Sequence, residues 1–221
     1  MGAMGRPAIL SRERITAAGK QIVEREGPQA LTLKRLGGEL GVDASALYRH
    51  FRNKDELVSA IGDELLSGYV ADPGDDVAWR EGVTDICVQL RAASITQPVV
   101  VDIVRFGPPR QANELKLTEV LLRLLRRGGL DAQAAGDAYH ALISLTLGSA
   151  AIDAQLDRLP RAERQKLYRG WRRQYATLPS EQYPTSVALA EHLWRGTAED
   201  RFRGALEIML DGLQAGISQR R

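Results

Sequence analysis

The sequence is constrained most strongly by residues 31–57, which predict two short helices joined by a tight turn. Thr32 can cap the first helix, because its hydroxyl can accept a backbone N–H of the first turn. Gly41 suits the left-handed backbone conformation that such a turn requires. Asp43 can cap the second helix, which we predict through His50. Two short helices at this spacing are typical of a helix-turn-helix unit.

Helices on both sides complete this unit. Ser11 can cap a preceding helix. Asn53 and Glu56 have the spacing of a capping box and can begin a following one. The preceding helix has apolar residues every three to four positions, namely Ile15, Ala18, Gly19, Ile22 and Val23. We therefore predict a three-helix domain at residues 8–56 and a bridging helix at residues 53–70.

One local conflict lies inside this unit, at Gly37 and Gly38. Each interior glycine costs a helix roughly 1 kcal/mol relative to alanine. Tertiary packing has to offset that cost, and small residues allow another segment to approach closely. Leu47 and Phe51 lie four residues apart, so both are expected to face inward.

The rest of the chain is also predicted to be helical. Aromatic residues make up only 5% of the sequence, whereas leucine and alanine are frequent, which favours helices over sheets. Proline, glycine and aspartate cluster at residues 71–76 and interrupt the pattern. Helices follow, including predicted ones at residues 98–106 and 184–194. We predict an all-α fold with a larger helical domain at residues 57–221.

Charge is distributed unevenly along the chain. The formal net charge is +2, but residues 1–52 contain nine basic and five acidic side chains. An anionic partner is therefore expected to meet the amino-terminal quarter. Arg6 lies in a short arm that suits contact with DNA phosphates or a minor groove, and equally suits an ordinary terminus. The basic residues between 158 and 173 are interspersed with acids, which favours a solvated helix face over a second anion site.

Several protein classes are not indicated. Cys87 is the single cysteine, so an intramolecular disulfide and multi-cysteine zinc sites are excluded, and a reducing cytoplasm is expected. Val83 and Leu90 place Cys87 on an apolar helix face, so we expect it to be structural. The apolar run at residues 141–152 is shorter than the about 20 residues of a membrane span. We expect no cofactor and no metal, and none of the common catalytic motifs occurs.

Residues 31–57, with the helix before them, resemble the tetracycline-repressor (TetR) family of bacterial transcriptional regulators. The matching residues are Leu31-Thr32, Leu36, Leu40-Gly41-Val42, Leu47-Tyr48-Arg49-His50-Phe51, Asn53-Lys54 and Leu57. The resemblance implies a homodimer that binds a palindromic operator in double-stranded DNA. The DNA contacts that it implies are Thr32, Lys34, Ala44, Ser45, Tyr48, Arg49, His50 and Lys54. Arg49 occupies a position that varies in the family, so it is a candidate for operator preference.

The resemblance also implies a small-molecule effector, expected to be largely apolar, bound in the carboxy-terminal domain. The candidate effector-pocket residues are Phe106, His140, Trp171 and Tyr175. Aromatic residues at helical spacing are more often core than pocket, and His140 suits a core or interface position equally well. The end of the bridging helix has no histidine where tetracycline-binding members present one, so a magnesium–tetracycline complex is not expected to bind.

A helix predicted to begin at Asp131 is rich in small residues that permit close helix packing. They are Ala134, Ala135, Ala138, Ala141, Ser144, Gly148 and Ser149. Paired with the last helix, which we predict from Thr197, they could form a four-helix dimer interface across a two-fold axis. Burial within one monomer is the alternative.

Together these features predict a ligand-responsive transcriptional regulator that acts as a repressor. A constitutive DNA-binding protein without an effector pocket is the first alternative, and a closed carboxy-terminal interior would favour it. An all-helical enzyme is the second, although the sequence offers no catalytic triad or nucleotide-binding motif.

Overall fold

A computed structural model of the chain describes residues 10–68, 71–96 and 111–219. Every regular element in these ranges is helical, which confirms the all-α fold. The α-helices are α1 Arg12–Glu26, α2 Leu33–Leu40, α3 Ala44–Leu47, α4 Lys54–Leu66, α5 Trp79–Thr96, α6 Ala112–Arg127, α7 Ala132–Asp157, α8 Arg161–Ala176, α9 Pro184–Ala188 and α10 Ala198–Gln219. Short 3-10 helices lie at Pro28–Ala30 and Ala190–His192. None of the described helices is long and apolar enough to cross a membrane.

The chain packs as two compact units. The first comprises Met1–Pro73 and Thr96–Val120, and the second comprises Gly74–Ile95 and Leu121–Arg221. The first unit therefore contains α1 to α4 and the first half of α6. The boundary after residue 56 separates the two domains by function, not by packing, and it stays a prediction.

In the first unit, α1 and α4 approach closely because a glycine faces an isoleucine. A Cβ at Gly19 would collide with the side chain of Ile61. The predicted cap of α1 is confirmed, since Ser11 Oγ accepts the Arg14 amide at 3.2 Å. The buried apolar side chains of this unit come from all four helices, and they include Ile15, Ile22, Leu36, Leu47, Leu57, Ile61 and Leu65.

A buried carboxylate joins α4 to α6 within the first unit. Asp63 is 7% exposed. Its oxygens accept the amides of Asn113 at 3.1 Å and Glu114 at 3.0 Å, together with the Asn113 side-chain amide at 3.0 Å. The Asn113 side chain also donates to the Asp63 carbonyl. Asp63 thus caps the start of a helix about fifty residues further along the chain.

The second unit has its core along α5, α6 and α7. Val83, Cys87 and Leu90 are fully or almost fully buried on one face of α5, as predicted. Burial raises the pKa of the Cys87 thiol to about 11, which disfavours the reactive thiolate. The predicted cap at Asp131 is confirmed, since its carboxylate accepts the Ala134 amide at 2.8 Å.

Some predicted helices differ from the structure or lie outside the described residues. The predicted helix at residues 184–194 is wrong as a single element. Helix α9 ends at Ala188, a 3-10 helix follows, and Trp194 adopts a left-handed φ of 56°. The backbone therefore turns away from helical geometry before Trp194. The bridging helix, predicted to residue 70, ends at Leu66, and residues 67–68 form a turn. The arm at Arg6, residues 69–70 and the predicted helix at 98–106 lie outside the described residues.

Candidate functional site

Helix α2 positions the turn of the helix-turn-helix unit. Thr32 Oγ1 accepts the Arg35 amide at 3.1 Å, which confirms the predicted cap. Gly41 ends the helix with φ 69° and ψ 31°, the left-handed conformation expected for this turn. The Val42 amide donates to the Gly37 carbonyl at 2.9 Å, which closes the turn against the end of α2.

Gly37 explains part of the conflict in this helix. A Cβ at Gly37 would lie 2.8 Å from the Val42 carbonyl oxygen and 3.3 Å from the Ala44 amide nitrogen. The backbone leading into α3 therefore occupies the space of a side chain. Gly38 is exposed, and a Cβ added there would have no neighbour within 4 Å, so close packing does not account for it.

Helix α3 begins as predicted but is shorter. Asp43 caps it, with Oδ1 accepting the Ser45 amide at 2.8 Å. Hydrogen bonds from Ser45, first from its side chain and then from its backbone, lower the pKa of Asp43. The α-helix ends at Leu47, so the predicted extension to His50 is wrong. Residues 48–50 continue as turns, because the amides of Tyr48, Arg49 and His50 bond three residues back instead of four.

The side chains around α3 divide into a buried and an exposed set. Leu47 and Phe51 are 0% and 2% exposed, as predicted, and attach this segment to the rest of the unit. The residues predicted to contact DNA lie on the other side or at the adjoining helix starts. Thr32, Lys34, Ser45, Tyr48, Arg49 and Lys54 are exposed, and Ala44 and His50 are half-buried.

Two of the predicted contact residues are brought together by the fold. Thr32 and Lys54 line one small crevice, together with apolar residues of α2 and α4. The first turns of these two helices therefore lie side by side. The crevice itself is small and largely apolar. Each helix start carries the positive end of a helix dipole, however, and so favours an anion such as a DNA phosphate at its surface.

Arg12 holds the segment after α3 in place, a role that the sequence did not reveal. Its guanidinium donates to the His50 carbonyl and to Glu56 Oε1, the latter at 2.9 Å. It also lies over the Phe51 ring, 4.2 Å from the centroid. Arg12 is 38 residues from His50 in the chain. No local pattern could have indicated this contact.

Only one of the two hydrogen bonds of the predicted capping box at α4 is present. Asn53 Oδ1 accepts the Glu56 amide at 2.8 Å, as expected. Glu56 does not return the bond to Asn53; its Oε2 accepts the Arg52 amide at 2.7 Å. The Arg52 amide, followed by the Arg12 side chain, lowers the pKa of Glu56. Glu56 therefore stays ionised and joins α1 to the start of α4.

Part of the basic excess in the amino-terminal quarter is neutralised internally. Arg35 pairs with Glu26 at 2.7 Å and with Glu39 at 2.8 Å, and Arg25 pairs with the same two acids. Hydrogen bonds from Arg35, then from Arg25, lower the pKa of Glu26 to about 2. These arginines join α1 to α2 and are less available to DNA than their number in the sequence suggests.

The effector-pocket candidates are only partly brought together. Trp171 and Tyr175 of α8 line a cavity of about 390 Å³ with Gln174, Leu178 and Trp194, which we call the aromatic cavity. His140 is exposed on α7, does not line this cavity, and has its ring 5.4 Å from that of Tyr139. Phe106 lies outside the described residues. Among the described residues, no cluster of His, Cys, Asp or Glu suits a metal ion.

Comparison with known families agrees with this architecture. Residues 15–61 match the family described as bacterial regulatory proteins, tetR family. Residues 72–217 match the tetracyclin repressor-like C-terminal domain. These matches define the chain as a bacterial regulatory protein rather than an enzyme. It belongs to the TetR family.

Two similar proteins are transcriptional repressors, and a third, of known structure, is a TetR family protein. The HTH-type transcriptional repressor DrrR1 of Streptomyces coeruleorubidus is 27% identical over 223 residues, covering 98% of this chain and 82% of that protein. The class C tetracycline repressor of Escherichia coli is 26% identical over 210 residues, covering 93% and 91% of the two chains. Apo ActR of Streptomyces coelicolor superposes with a TM-score of 0.77 at 27% identity, covering 97% and 99%. ActR has also been solved in complex with actinorhodin.

Proposed function

We propose that this protein is a homodimeric transcriptional repressor that binds a palindromic DNA operator and is released by a small-molecule effector. The observation that carries the proposal is the two-sided segment at α3. Its buried residues, Leu47 and Phe51, attach it firmly, while Ser45, Tyr48 and Arg49 are free to contact a duplex. Such a segment can enter a major groove without disturbing the core.

Phosphate and base contacts are assigned to different residues. Thr32 and Lys54, at the crevice between two helix starts, would hold phosphates together with Lys34 and Tyr48. Ser45, Arg49 and His50 would approach base edges, with Ala44 leaving room for the close approach. Among Ser45, Arg49 and His50, only Arg49 has a long, charged and exposed side chain, so it is the main candidate for base preference.

The homodimer is supported by an uncovered face on α7 and α10. These helices contact each other, yet Ile152 and Ile208 are 71% and 75% exposed. Small exposed residues continue the same two faces, namely Ala141 and Gly148 on α7 and Gly204 and Gly212 on α10. A second copy would cover the face as a four-helix interface. Two copies of α3 about 34 Å apart would then read successive major grooves.

The aromatic cavity is the proposed place for a largely apolar effector. Trp171, Tyr175 and Leu178 give it an apolar wall, and Gln174 supplies a polar group. The solved complexes of ActR with actinorhodin and (S)-DNPA support ligand responsiveness. An effector would have to favour a dimer whose two α3 segments no longer match the operator spacing. We retain residues 8–56 as the DNA-binding domain and residues 57–221 as the effector and dimer domain, acting in the cytoplasm.

The DNA contacts are tested with Tyr48→Ala combined with Lys54→Ala. Binding to a mixed-sequence duplex should weaken, and the slope of log affinity against log salt should fall by about one per lost phosphate contact. Tyr183→Ala combined with Lys166→Ala is the matched control, because it removes the same residue types from exposed positions on the second unit. Fluorescence anisotropy at several salt concentrations measures the DNA affinity and its salt dependence for each variant. Equal affinities for the two double variants would refute the proposed docking.

The dimer is tested separately by sedimentation. Ile208→Glu should give a folded monomer with strongly reduced DNA affinity, because it buries a charge in the proposed interface. Leu115→Glu also adds a charge at an exposed leucine and should remain dimeric. A dimeric Ile208→Glu variant would exclude this face as the interface.

A further inference from the structure

A second cavity in the second unit has a different character from the aromatic cavity. It has a volume of about 250 Å³ and lies among α5, the first turns of α8 and the start of α10. Arg91, Arg161, Arg164 and Tyr168 line it, together with Thr197 and Ala198. We call it the arginine cavity. It shares no lining residue with the aromatic cavity.

Arg91 is a buried cation that is only partly satisfied. Its side chain is 6% exposed. One nitrogen, Nη2, donates to Asp153 Oδ2 at 2.6 Å. Its Nε is enclosed and has no acceptor in the described part of the chain. A buried guanidinium with an unmet donor is costly, and Asp153 fills only part of the hydrogen-bonding capacity of Arg91. Arg91 lines the cavity, so an anion bound there would lie beside this buried cation.

The surrounding charge is also positive. Glu199 is the one acid among the lining residues, and its carboxylate pairs with Arg203 at 2.8 Å. Asp153 is shared, since its other oxygen, Oδ1, lies 3.9 Å from the Arg201 guanidinium. Arg161 is exposed at the cavity and adds positive charge that these two acids do not cancel. An anion is the ligand that this balance favours.

The start of α10 adds backbone donors. Thr197 and Asp200 cap each other, with the Asp200 amide donating to Thr197 Oγ1 at 3.0 Å and the Thr197 amide donating to Asp200 Oδ2 at 2.7 Å. No described residue accepts a hydrogen bond from the backbone amide of Ala198 or Glu199. Both residues line the cavity. A helix of 22 residues presents its positive end at this point.

We propose that the arginine cavity is a binding site for the oxyanion group of a small molecule, either a carboxylate or a phosphate. Arg91 provides the buried charge, Arg161 and Arg164 the entrance, and the start of α10 the backbone donors. Tyr168 forms an aromatic wall beside the oxyanion. The basic face of α8 is thus more than solvated surface at its first two turns. The site goes beyond operator binding and needs no DNA for its test.

Tryptophan fluorescence can report the occupancy of this cavity. The Tyr168 ring lies 5.5 Å from that of Trp171 and is stacked on that of Trp194 at 6.2 Å. The full-length protein is titrated separately with inorganic phosphate and with benzoate, at constant ionic strength, and the affinities are confirmed by calorimetry. Saturable binding of one or both probes is expected. Phosphate alone would identify a phosphorylated ligand, and benzoate alone a carboxylated one.

Arg161→Gln is the diagnostic variant, since Arg161 is exposed and its replacement should not affect folding. It should weaken binding of the preferred probe about tenfold, as expected for a charge-assisted hydrogen bond. Arg169→Gln removes the same charge from an exposed position of α8 that does not line the cavity, and should bind as the parent protein does. Ala198→Pro removes one amide donor at the first helical position, where proline is tolerated, and should also weaken binding.

Two results would overturn the proposal. One is the absence of saturable binding of either probe to the parent protein. The other is an equal loss of affinity in Arg161→Gln and Arg169→Gln, which would indicate a response to net charge alone. Neither result bears on the DNA contacts, which are tested without these probes.

Discussion

The adjacent residues Gly37 and Gly38 should respond to alanine in opposite directions. Both lie in helix α2, so both substitutions bring the same kind of helix-propensity gain, up to about 1 kcal/mol. Only their surroundings differ. Gly38 is exposed and open, whereas a Cβ at Gly37 would meet the Val42 carbonyl oxygen at 2.8 Å. Because that oxygen belongs to the backbone, it cannot move aside like the end of a flexible side chain.

The magnitude follows from the difference between the two sites. Gly38→Ala should stabilise the folded state by about 0.5–1 kcal/mol. Gly37→Ala receives a similar gain but has to displace the turn, and overpacking of this kind costs about 1–3 kcal/mol. The two variants should therefore differ by about 1–3 kcal/mol, with Gly37→Ala the less stable. The displaced segment leads directly into α3, so DNA affinity should fall with it.

Urea unfolding followed by far-ultraviolet circular dichroism measures the two free energies. Hydrogen exchange of peptides that cover α2 and α3 localises the change, which matters because the chain contains two compact units. Faster exchange is expected in Gly37→Ala, and equal or slower exchange in Gly38→Ala. If both variants were stabilised to the same extent, the backbone of Val42 would not lie close to Gly37. The lack of a side chain at Gly37 would then have no explanation in packing.

Two further predictions concern buried and exposed carboxylates in the first unit. Asp63→Ala should destabilise the first unit by about 2–4 kcal/mol, because the amides of Asn113 and Glu114 lose their acceptor. Asp63→Asn should cost less, because it keeps one oxygen. Urea unfolding of both variants, with the exposed Asp55→Ala as control, measures the difference. The pKa of Glu26 is lowered to about 2 in the folded state. Its contribution to the free energy of unfolding should therefore be complete above about pH 4.5 and lost as the pH falls towards 2. The stability difference between the parent and Glu26→Gln should follow that course, and a difference that persists unchanged near pH 2 would contradict it.

The features that the sequence predicted well are those decided by neighbouring residues. Ser11, Thr32 and Asp131 cap their helices because a short polar side chain reaches the amide three residues on. Gly41 takes its left-handed conformation because the next turn requires it. Such contacts need only local geometry. The error at residues 48–50 arises because helix propensity cannot distinguish a last α-turn from bonds three residues apart.

The features that the sequence did not predict depend on residues far apart in the chain. In the sequence, Asp63 is an ordinary polar residue of a helix, and only the fold brings its carboxylate against Asn113, 50 positions away. Arg12 likewise gives no sign that it holds the His50 carbonyl. The aromatic cavity was predicted in part, since Trp171 and Tyr175 lie one helical turn apart on α8, but Trp194 joins them only through tertiary packing.

Charge shows most clearly why a count along the sequence is not enough. The amino-terminal quarter carries an excess of basic residues, but Arg25 and Arg35 form a network with Glu26 and Glu39 that joins α1 to α2. This network leaves the two arginines fixed on the side of the unit where those acids lie. Among the described residues, Lys34, Arg49 and Lys54 have no such ion pairs and remain exposed around α3 and the helix starts. The same number of charges spread evenly would attract DNA in any orientation, whereas we expect this distribution to favour approach through α3. We therefore expect the pairing between α1 and α2 to disfavour other orientations of the protein on DNA.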